Sequence, residues 1–560
     1  MIDNLNWPAT LVFVFFFAVV TIMGFMASRW KSGDLDQLHE WGLGGRRFGS
    51  WISWFLIGGD LYTAYTVIAV PAVIYAIGAY GFFAVPYTIL IYPLLFVAFP
   101  RLWAVTHKHQ YITAGDFILG RYGNKWLELA VCATGIVATM PYIALQLVGM
   151  ERVIQALGFS GQGWLSHLPL TIAFVILALY TYSSGLRAPA MIAFVKDTMI
   201  YIFVIAAVII IPLQLGGYGA IFDAAGAVLD KKVAASGGKL AAGLVLQPVQ
   251  VMPFITLAIG SAMALFLYPH SMTGILAASK SDAIKRNAVA LPAYSLVLGL
   301  IGIMGYMAIA AGINLVDVKT FALLSQTPGA HSAAQGAVTI SQAASVALDS
   351  GARTFDAGVY ITNPQDAVPQ LFLKQFPSWF AGFTFAAIAI GALVPAAVMS
   401  IGAANTFTRN FWKPFVEPNL APNKEASLAK LVSLIVKVGA LAILFLMPTQ
   451  FALDLQLLGG VWMVQIFPAL IFGLYTRWFS GPALLVGWAV GIVIGTWLSW
   501  GATNWTPASN FFGWLDFNSY NGLTSVLVNI AVAAILSPLL RSSAPDQTIA
   551  ADYETARAAA

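Results

Sequence analysis

The reading turns on one stretch, WISWFLIGGDLYTAYTVIAVP (51–71). Its flanks are apolar enough to cross a bilayer, but Gly58-Gly59-Asp60 interrupts them a little over two helical turns in, near the membrane middle. Glycine weakens a helix and an aspartate in hydrocarbon needs a reason to be there. A second stretch, PFITLAIGSAMALFLYPHSM (253–272), carries Gly260-Ser261 at a similar depth from the other side, with Pro269-His270 further on. Two apolar spans, five apart in order and opposite in direction, are both interrupted near the midplane. That pattern predicts a five-plus-five inverted repeat with two broken helices, the architecture of a transporter. Glycine is also common in membrane helices generally, so the pattern alone leaves a channel or a membrane enzyme open.

The rest of the chain fits a bilayer. Of 560 residues, 59% are hydrophobic and only 9% are charged, against about 25% in soluble domains. Mean hydropathy is +0.81. Too few charges are present to coat a soluble protein, and a disordered chain needs the opposite composition. The net charge of +5 is attributed to cytoplasmic loops rather than to nucleic-acid binding. The single cysteine, Cys132, excludes an intramolecular disulfide, and the scattered histidines predict no metal site. Residues 9–28 follow MIDNLNW, which holds Asp3 and no basic residue, so they are taken as a retained span and not a signal peptide.

At about 20 apolar residues per crossing, thirteen candidate spans emerge: 9–28, 51–78, 80–103, 127–150, 167–185, 189–214, 252–275, 288–312, 379–405, 428–447, 451–474, 480–502 and 521–541. Their continuous apolarity predicts an all-α membrane protein and not a barrel. With the N-terminus outside, 18 of the 28 Lys and Arg fall on the cytoplasmic side, 7 outside and 3 within spans. The C-terminus is then cytoplasmic. The organisation follows: residues 1–50, a first helix and cytoplasmic loop; 51–214, the first repeat (spans 2–6); 215–251, an external loop; 252–474, the second repeat (spans 7–11) with external loop 313–378; 475–541, two peripheral helices; 542–560, a cytoplasmic tail. The two external loops are read as solvated connections with short surface helices. The Ala-rich tail is read as mobile and too short for a signalling domain.

Several motifs now converge. LGGRRFG (43–49), GGDLYTAY (58–65), SSGLRAPA (183–190), LYPHSMTGILAAS (267–279), PQDAVPQLFLKQFPSWFAGF (364–383), TRNFWKPF (408–415) and PALIFGLYTRWFSGPALLVGWAVG (468–491) resemble, in order and spacing, the sodium/solute symporter family. The GGDLYTAY segment is similar to that of bacterial proline permeases. APAMIAFVKD (188–197) and GALVPAAVMS (391–400) look most like bacterial monocarboxylate permeases. The resemblance implies a LeuT-type fold, a bacterial inner-membrane location, and symport of lactate, pyruvate and related short acids, or alanine, with a cation. No cofactor is implied beyond the co-transported H+ or Na+.

The departures from the family pattern carry as much. In sodium-coupled members, carbonyls at the first break would fall on Gly58 and Leu61, an aspartate of span 6 on Ala193, and a Ser/Thr pair of span 9 on Val394 and Pro395. Restoring a hydroxyl through Ser400 requires a six-residue gap. The family's usual glutamine, three residues after Ala193, is Lys196. Ala193 and Lys196 share a helix face. The sodium site's side-chain oxygens are thus replaced by an amine that can stand in for the ion and exchange a proton. Proton coupling through Lys196 is therefore favoured over sodium coupling. Alternatively Lys196 snorkels inward or pairs with Asp197.

Asp60 either caps the half-helix after the break or carries a proton. The substrate is expected between the breaks, where half-helix N-termini suit a carboxylate. Gly59 lies at the first break, Tyr62 and Thr63 are expected to add hydroxyl donors to the substrate from the start of the outer half of span 2, and Gln146 in span 4 either faces the pocket or joins two helices. By resemblance Ser261, Leu265 and Pro269 line the pocket in span 7. His270 is read as a structural hydrogen-bonder rather than a relay. A membrane enzyme would need clustered carboxylates or a nucleophile–base pair, and none is evident. The partners expected are a small monocarboxylate, a coupling cation and lipid, with no nucleic acid. The runner-up is a sodium-coupled symporter for another small solute, such as an amino acid.

Overall fold

Span 2 is two helices rather than one. In the computed structural model, Ser50–Gly59 ends at the glycine pair, residues 60–63 are non-helical, and the chain resumes through a π-helical turn, Tyr65–Ala69, into Val70–Ile77. The structure describes residues 5–30, 33–159, 167–327, 330–334, 337–348, 351–446, 452–501, 505–511, 513–514, 516–541 and 544–554. Lys31 and Arg557, counted among the cytoplasmic charges, lie outside these.

Span 7 breaks too, but not at Gly260-Ser261. The helix Pro248–Leu265 runs through both, stops at Phe266–Tyr268, and restarts as Pro269–Leu276. Gly260 serves packing instead: a Cβ there would strike the Tyr520 ring. The break belongs to Pro269, which opens the second helix at its first turn and holds Tyr268 extended (φ −56°, ψ 141°).

Ten helices among the described residues are long and apolar enough to span a membrane. Tyr65–Ile77, Leu168–Ser184 and Asn521–Leu536 are shorter apolar helices. Each of the thirteen sequence segments overlaps one of these ten or three. The helix Ser378–Phe407, with Pro395 inside it, is the hub: its apolar window is entirely buried. Peripheral helices instead leave large apolar side chains uncovered, such as Leu11, Phe15 and Ile22 on Trp7–Met26. Such surface is stable in lipid and costly in water.

Two expectations fail outside the helical body. The external loop 313–378 is not merely a solvated connection. It holds a four-stranded sheet and a separate hairpin, Ala344–Leu348 with Gly351–Phe355. The sheet pairs Ile313–Leu315 in parallel with Gly358–Ile361, which pairs antiparallel with Ala337–Ile340. Short runs such as AVTI and GVYI alternate and bury Val338, Ile340 and Tyr360 against Leu324. The all-α reading therefore holds for the apolar segments and not for this loop. The tail is not free over 544–554 either. Asp546 pairs with Arg121 (2.8 Å), and Asp552 with Lys108 (2.5 Å) and His109 (2.8 Å). Gln547 donates its backbone N–H to the Gly120 carbonyl at 2.9 Å.

Candidate functional site

Ending a helix at Gly59 leaves carbonyls without their usual i+4 donors. One is answered from within, since the Leu61 N–H donates to the Gly58 oxygen at 2.9 Å. The others are answered from span 6. Lys196, wholly buried on the helix Arg187–Gln214, donates its Nζ to the Gly59 carbonyl and to the Tyr62 carbonyl at 3.1 Å. The sequence register put the cradle on Gly58 and Leu61. It lies one residue further on, because Leu61 already uses the Gly58 oxygen.

The ammonium also meets Asp197 Oδ1 at 3.0 Å, and both side chains are fully buried. Asp197 Oδ2 accepts from the Tyr294 hydroxyl at 2.8 Å. Lys196 does not snorkel. It is held by two carbonyls and a carboxylate that the Tyr294 phenol holds in turn, and pairing with Asp197 accompanies the carbonyl contacts instead of replacing them. Gly59 leaves room for this pair: a Cβ would lie 3.0 Å from both the Lys196 amine and Asp197 Oδ2, and they would have to give by a few tenths of an ångström. Ala193 is buried one turn away on the same helix.

Tyr62 belongs to this side as well. Its hydroxyl donates to the Tyr294 carbonyl at 3.1 Å, and its ring packs on Tyr201 and Tyr294. That hydroxyl is spent on structure, so the structure does not bear out its assignment as a substrate donor between the breaks. Val394 and Pro395 are buried in the hub helix. Ser400 points elsewhere. Its hydroxyl donates to the Ala397 carbonyl and accepts from Ser433 of Pro422–Leu446, and Ser433 in turn accepts from Lys437 at 2.8 Å. The gapped alignment that would bring Ser400 to the cation position has no geometric support.

The restarting half of span 2 is capped without Asp60. Thr63 Oγ1 accepts from the Tyr65 N–H at 3.1 Å, Thr66 Oγ1 from the Thr63 N–H at 2.8 Å, and Gln146 Oε1 from the Ala64 N–H at 3.0 Å. This corrects the capping role for Asp60, whose place is the C-terminal end of Ser50–Gly59. Its Oδ2 instead accepts from Ser271 Oγ at 2.9 Å and faces His270 Nε2 at 3.4 Å. Asp60 thus joins the two breaks, and Oδ1 has no partner among the described residues.

Close to the breaks, Gln146 Nε2 and the Tyr268 hydroxyl are buried donors without an acceptor among the described residues. Gln146 shares a helix face with Tyr142, whose ring lies 5.7 Å from that of Tyr268 and 5.5 Å from that of His270. Beside them Tyr65, Ser261, Leu265, Tyr268, Gln456 and Tyr520 line a narrow pocket. Pro269 lines a different narrow pocket, with Thr113, Met272, Thr273 and Thr406. Ser261 and Leu265 are thus together and Pro269 is apart, with the Tyr268–Pro269 step between the two spaces. Asp197 entered the sequence reading only as an alternative partner for Lys196, and Tyr142, Tyr268, Ser271 and Tyr294 went unnoticed. Burial of tyrosines is not signalled by spacing. Among the described residues no group of His, Cys, Asp or Glu is arranged to hold a metal ion.

The two motif loops meet as well: Arg187 of GLRA pairs with Glu40 and donates to its carbonyl at 2.7 Å, and the Leu186 N–H reaches the Trp41 carbonyl at 2.9 Å.

Comparison with known proteins matches this geometry to a family. The model described as "Sodium:solute symporter family" matches residues 41–491. A protein of Rhizobium johnstonii named "Monocarboxylate transport permease protein" is 52% identical over 547 residues, covering 97% of this chain and 99% of the relative. The "Uncharacterized symporter YodF" of Bacillus subtilis is 30% identical over 546 residues, 96% of this chain and 95% of the relative. Among solved structures, the substrate-bound outward-open state of a Na+-coupled sialic acid symporter superposes with TM-score 0.69 at 14% identity, covering 95% of this chain and 98% of that one. The last likeness speaks to fold alone.

Proposed function

The chain belongs to the sodium:solute symporter family and is a multi-pass membrane symporter, not an enzyme; on that premise we propose that it imports short-chain monocarboxylates by alternating access, coupled to protons rather than sodium. In this reading the thirteen apolar segments are crossings, spans 2–6 and 7–11 are inverted repeats, and the N-terminus faces outward from a bacterial inner membrane.

The observation that carries proton coupling is the Lys196 amine seated on the Gly59 and Tyr62 carbonyls. A hard cation wants oxygen ligands, and here an ammonium takes that cradle. A proton arriving at or leaving Lys196 changes the charge beside Asp197 and the break, which gives the half-helices a reason to move. Asp60, joining the breaks through Ser271 and His270, is the second proton-carrying candidate.

The name of the relative from Rhizobium johnstonii supports a monocarboxylate substrate. So do the unpaired Gln146 Nε2 and Tyr268 hydroxyl, which are buried donors suited to a carboxylate. Ser261 and Leu265 would shape the apolar end of the pocket for lactate, pyruvate or alanine. One observation favours the sodium-coupled alternative for another small solute. If the Lys196 side chain swung aside, the Gly59 and Tyr62 carbonyls with Asp197 would form an all-oxygen set.

Uptake of labelled lactate into proteoliposomes decides between them. A pH gradient at equal sodium should drive accumulation, and a sodium gradient at constant pH should not. The reverse result, with Lys196→Ala transporting normally, would sink proton coupling through this amine.

A further inference from the structure

The helices Gly481–Trp500 and Asn521–Leu536 lie outside the repeat, side by side. Where the first begins and the second ends, an open cavity forms, and three of its walls are arginines: Arg121, Arg477 and Arg541. Among the described residues one carboxylate faces them, Asp546 of the docked tail, so this lining keeps an excess of positive charge.

The three arginines are not equivalent. Arg121 is buried and fully engaged, through Nε to the Gly473 carbonyl at 3.1 Å, Nη2 to the Thr476 carbonyl at 3.0 Å and Nη1 to Asp546 at 2.8 Å. It contributes charge and holds the cavity's shape. Arg477 is largely exposed, with Nη2 on the Thr548 carbonyl at 2.9 Å and Nε 3.5 Å from Asp546. Arg541 is exposed and makes no ion pair among the described residues. Arg477 and Arg541 therefore offer guanidinium donors to a further anion.

The rim says which kind of anion. Trp478 stands 61% exposed, its indole donating to the Ala534 carbonyl at 3.3 Å. Ile535 and Leu539, 68% and 74% exposed, lie on the same stretch of chain. A soluble anion has no use for this bare apolar surface, which costs free energy in water. Tryptophan beside a basic cluster at the end of apolar helices is the chemistry of a membrane–water interface. Basic pockets between membrane helices on the cytoplasmic side suit acidic headgroups.

We propose that this cavity binds the headgroup of an anionic phospholipid, its phosphate on Arg477 and Arg541 and its acyl chains along Ile535 and Leu539. The lipid's charge balances the excess that Asp546 leaves. The site lies apart from the two helix breaks and requires neither the substrate nor the coupling ion.

The test uses the full-length protein, purified and exchanged into phosphatidylcholine with or without phosphatidylglycerol. Native mass spectrometry reads retained lipid, and the melting temperature reads stabilisation. Phosphatidylglycerol should be retained and should raise the melting temperature, and the double variant Arg477→Gln/Arg541→Gln should retain it about 30-fold less well. Arg541→Gln alone, at an exposed side chain, gives an intermediate loss and keeps the test usable if the double variant is poorly folded. Equal retention of the two lipids, or undiminished phosphatidylglycerol on both variants, overturns the proposal. Stabilisation of the wild type by inorganic phosphate equal to that by phosphatidylglycerol assigns the cavity to a soluble anion and overturns the lipid.

Discussion

The two helix breaks solve the same backbone problem with opposite chemistry. At the first, residues 60–63, the freed groups are met by side chains from elsewhere: Lys196 on the Gly59 and Tyr62 carbonyls, Gln146 on the Ala64 N–H, and the local Thr63 and Thr66. At the second, Phe266–Tyr268, Pro269 has no N–H and so needs no acceptor where the helix restarts, and the surroundings are aromatic, with Tyr142, Tyr268 and His270 in ring contact. The first is an electrostatic socket and the second a shaped wall. Asp60 is the strut between them, through Ser271 and His270. A coupled carrier needs an ion-sensing element and a solute-sensing element that feel each other, and in the proposed function the two breaks with one carboxylate between them would supply that arrangement.

The largest effect should come from emptying the socket. Lys196→Ala leaves Asp197 buried with Tyr294 alone, and should destabilise the protein by about 3–5 kcal/mol as well as abolish pH-driven accumulation. The double variant Lys196→Met/Asp197→Asn removes both charges. It should recover most of the melting temperature without recovering coupling, which separates folding from function. If it also restores pH-driven uptake, the socket has no coupling role.

Cutting the strut comes next. Asp60→Asn loses a charge-assisted hydrogen bond to Ser271, and initial uptake rates should fall about ten-fold. Unchanged rates would mean that the breaks communicate by another route. On the solute side, Gln146→Leu removes both the cap on Ala64 and the unpaired amide. The half-saturation concentration for lactate should rise about five-fold. Tyr268→Phe deletes a hydroxyl that lacks a protein acceptor. It should raise that concentration a few-fold while leaving the substrate-free melting temperature unchanged or higher; a drop in that temperature would show the hydroxyl is satisfied within the protein. The smallest effect is expected at another buried amine, Lys437, whose hydrogen bonds among the described residues go to the Ser433 hydroxyl and carbonyl and not to either break. Lys437→Met should leave the pH dependence of uptake intact, and a shift equal to that of Lys196→Ala would erase the distinction between the two lysines.

Much of the first break was legible because its signals are local. Two glycines and an aspartate inside an apolar run mark an interruption, and a lysine at Ala193+3 stands out wherever charges are scarce. The error there was one residue of register, decided by the turn that Leu61 makes onto the Gly58 oxygen. The second break was misplaced because Gly260 and Pro269 send different messages: one residue makes room for Tyr520, while the other stops a helix. Asp60 looked like a cap because it precedes a half-helix, yet Thr63, Thr66 and Gln146 already fill that role. The partners that complete the site, Tyr294 for Asp197 and Ser271 for Asp60, lie 97 and 211 residues away in sequence. No periodicity announces them. The docked tail escaped for the same reason, since Asp546 and Asp552 find their cations 425 and 444 residues earlier.

An ammonium on a side chain differs from a sodium ion in one respect: it is tethered, so it never leaves the membrane with the solute. In a cycle built on Lys196, only the proton it releases would travel with the carboxylate. With one proton per acid the pair would carry no net charge, and membrane voltage would add nothing to how far uptake can run, which the pH gradient and the acid's own gradient would then set.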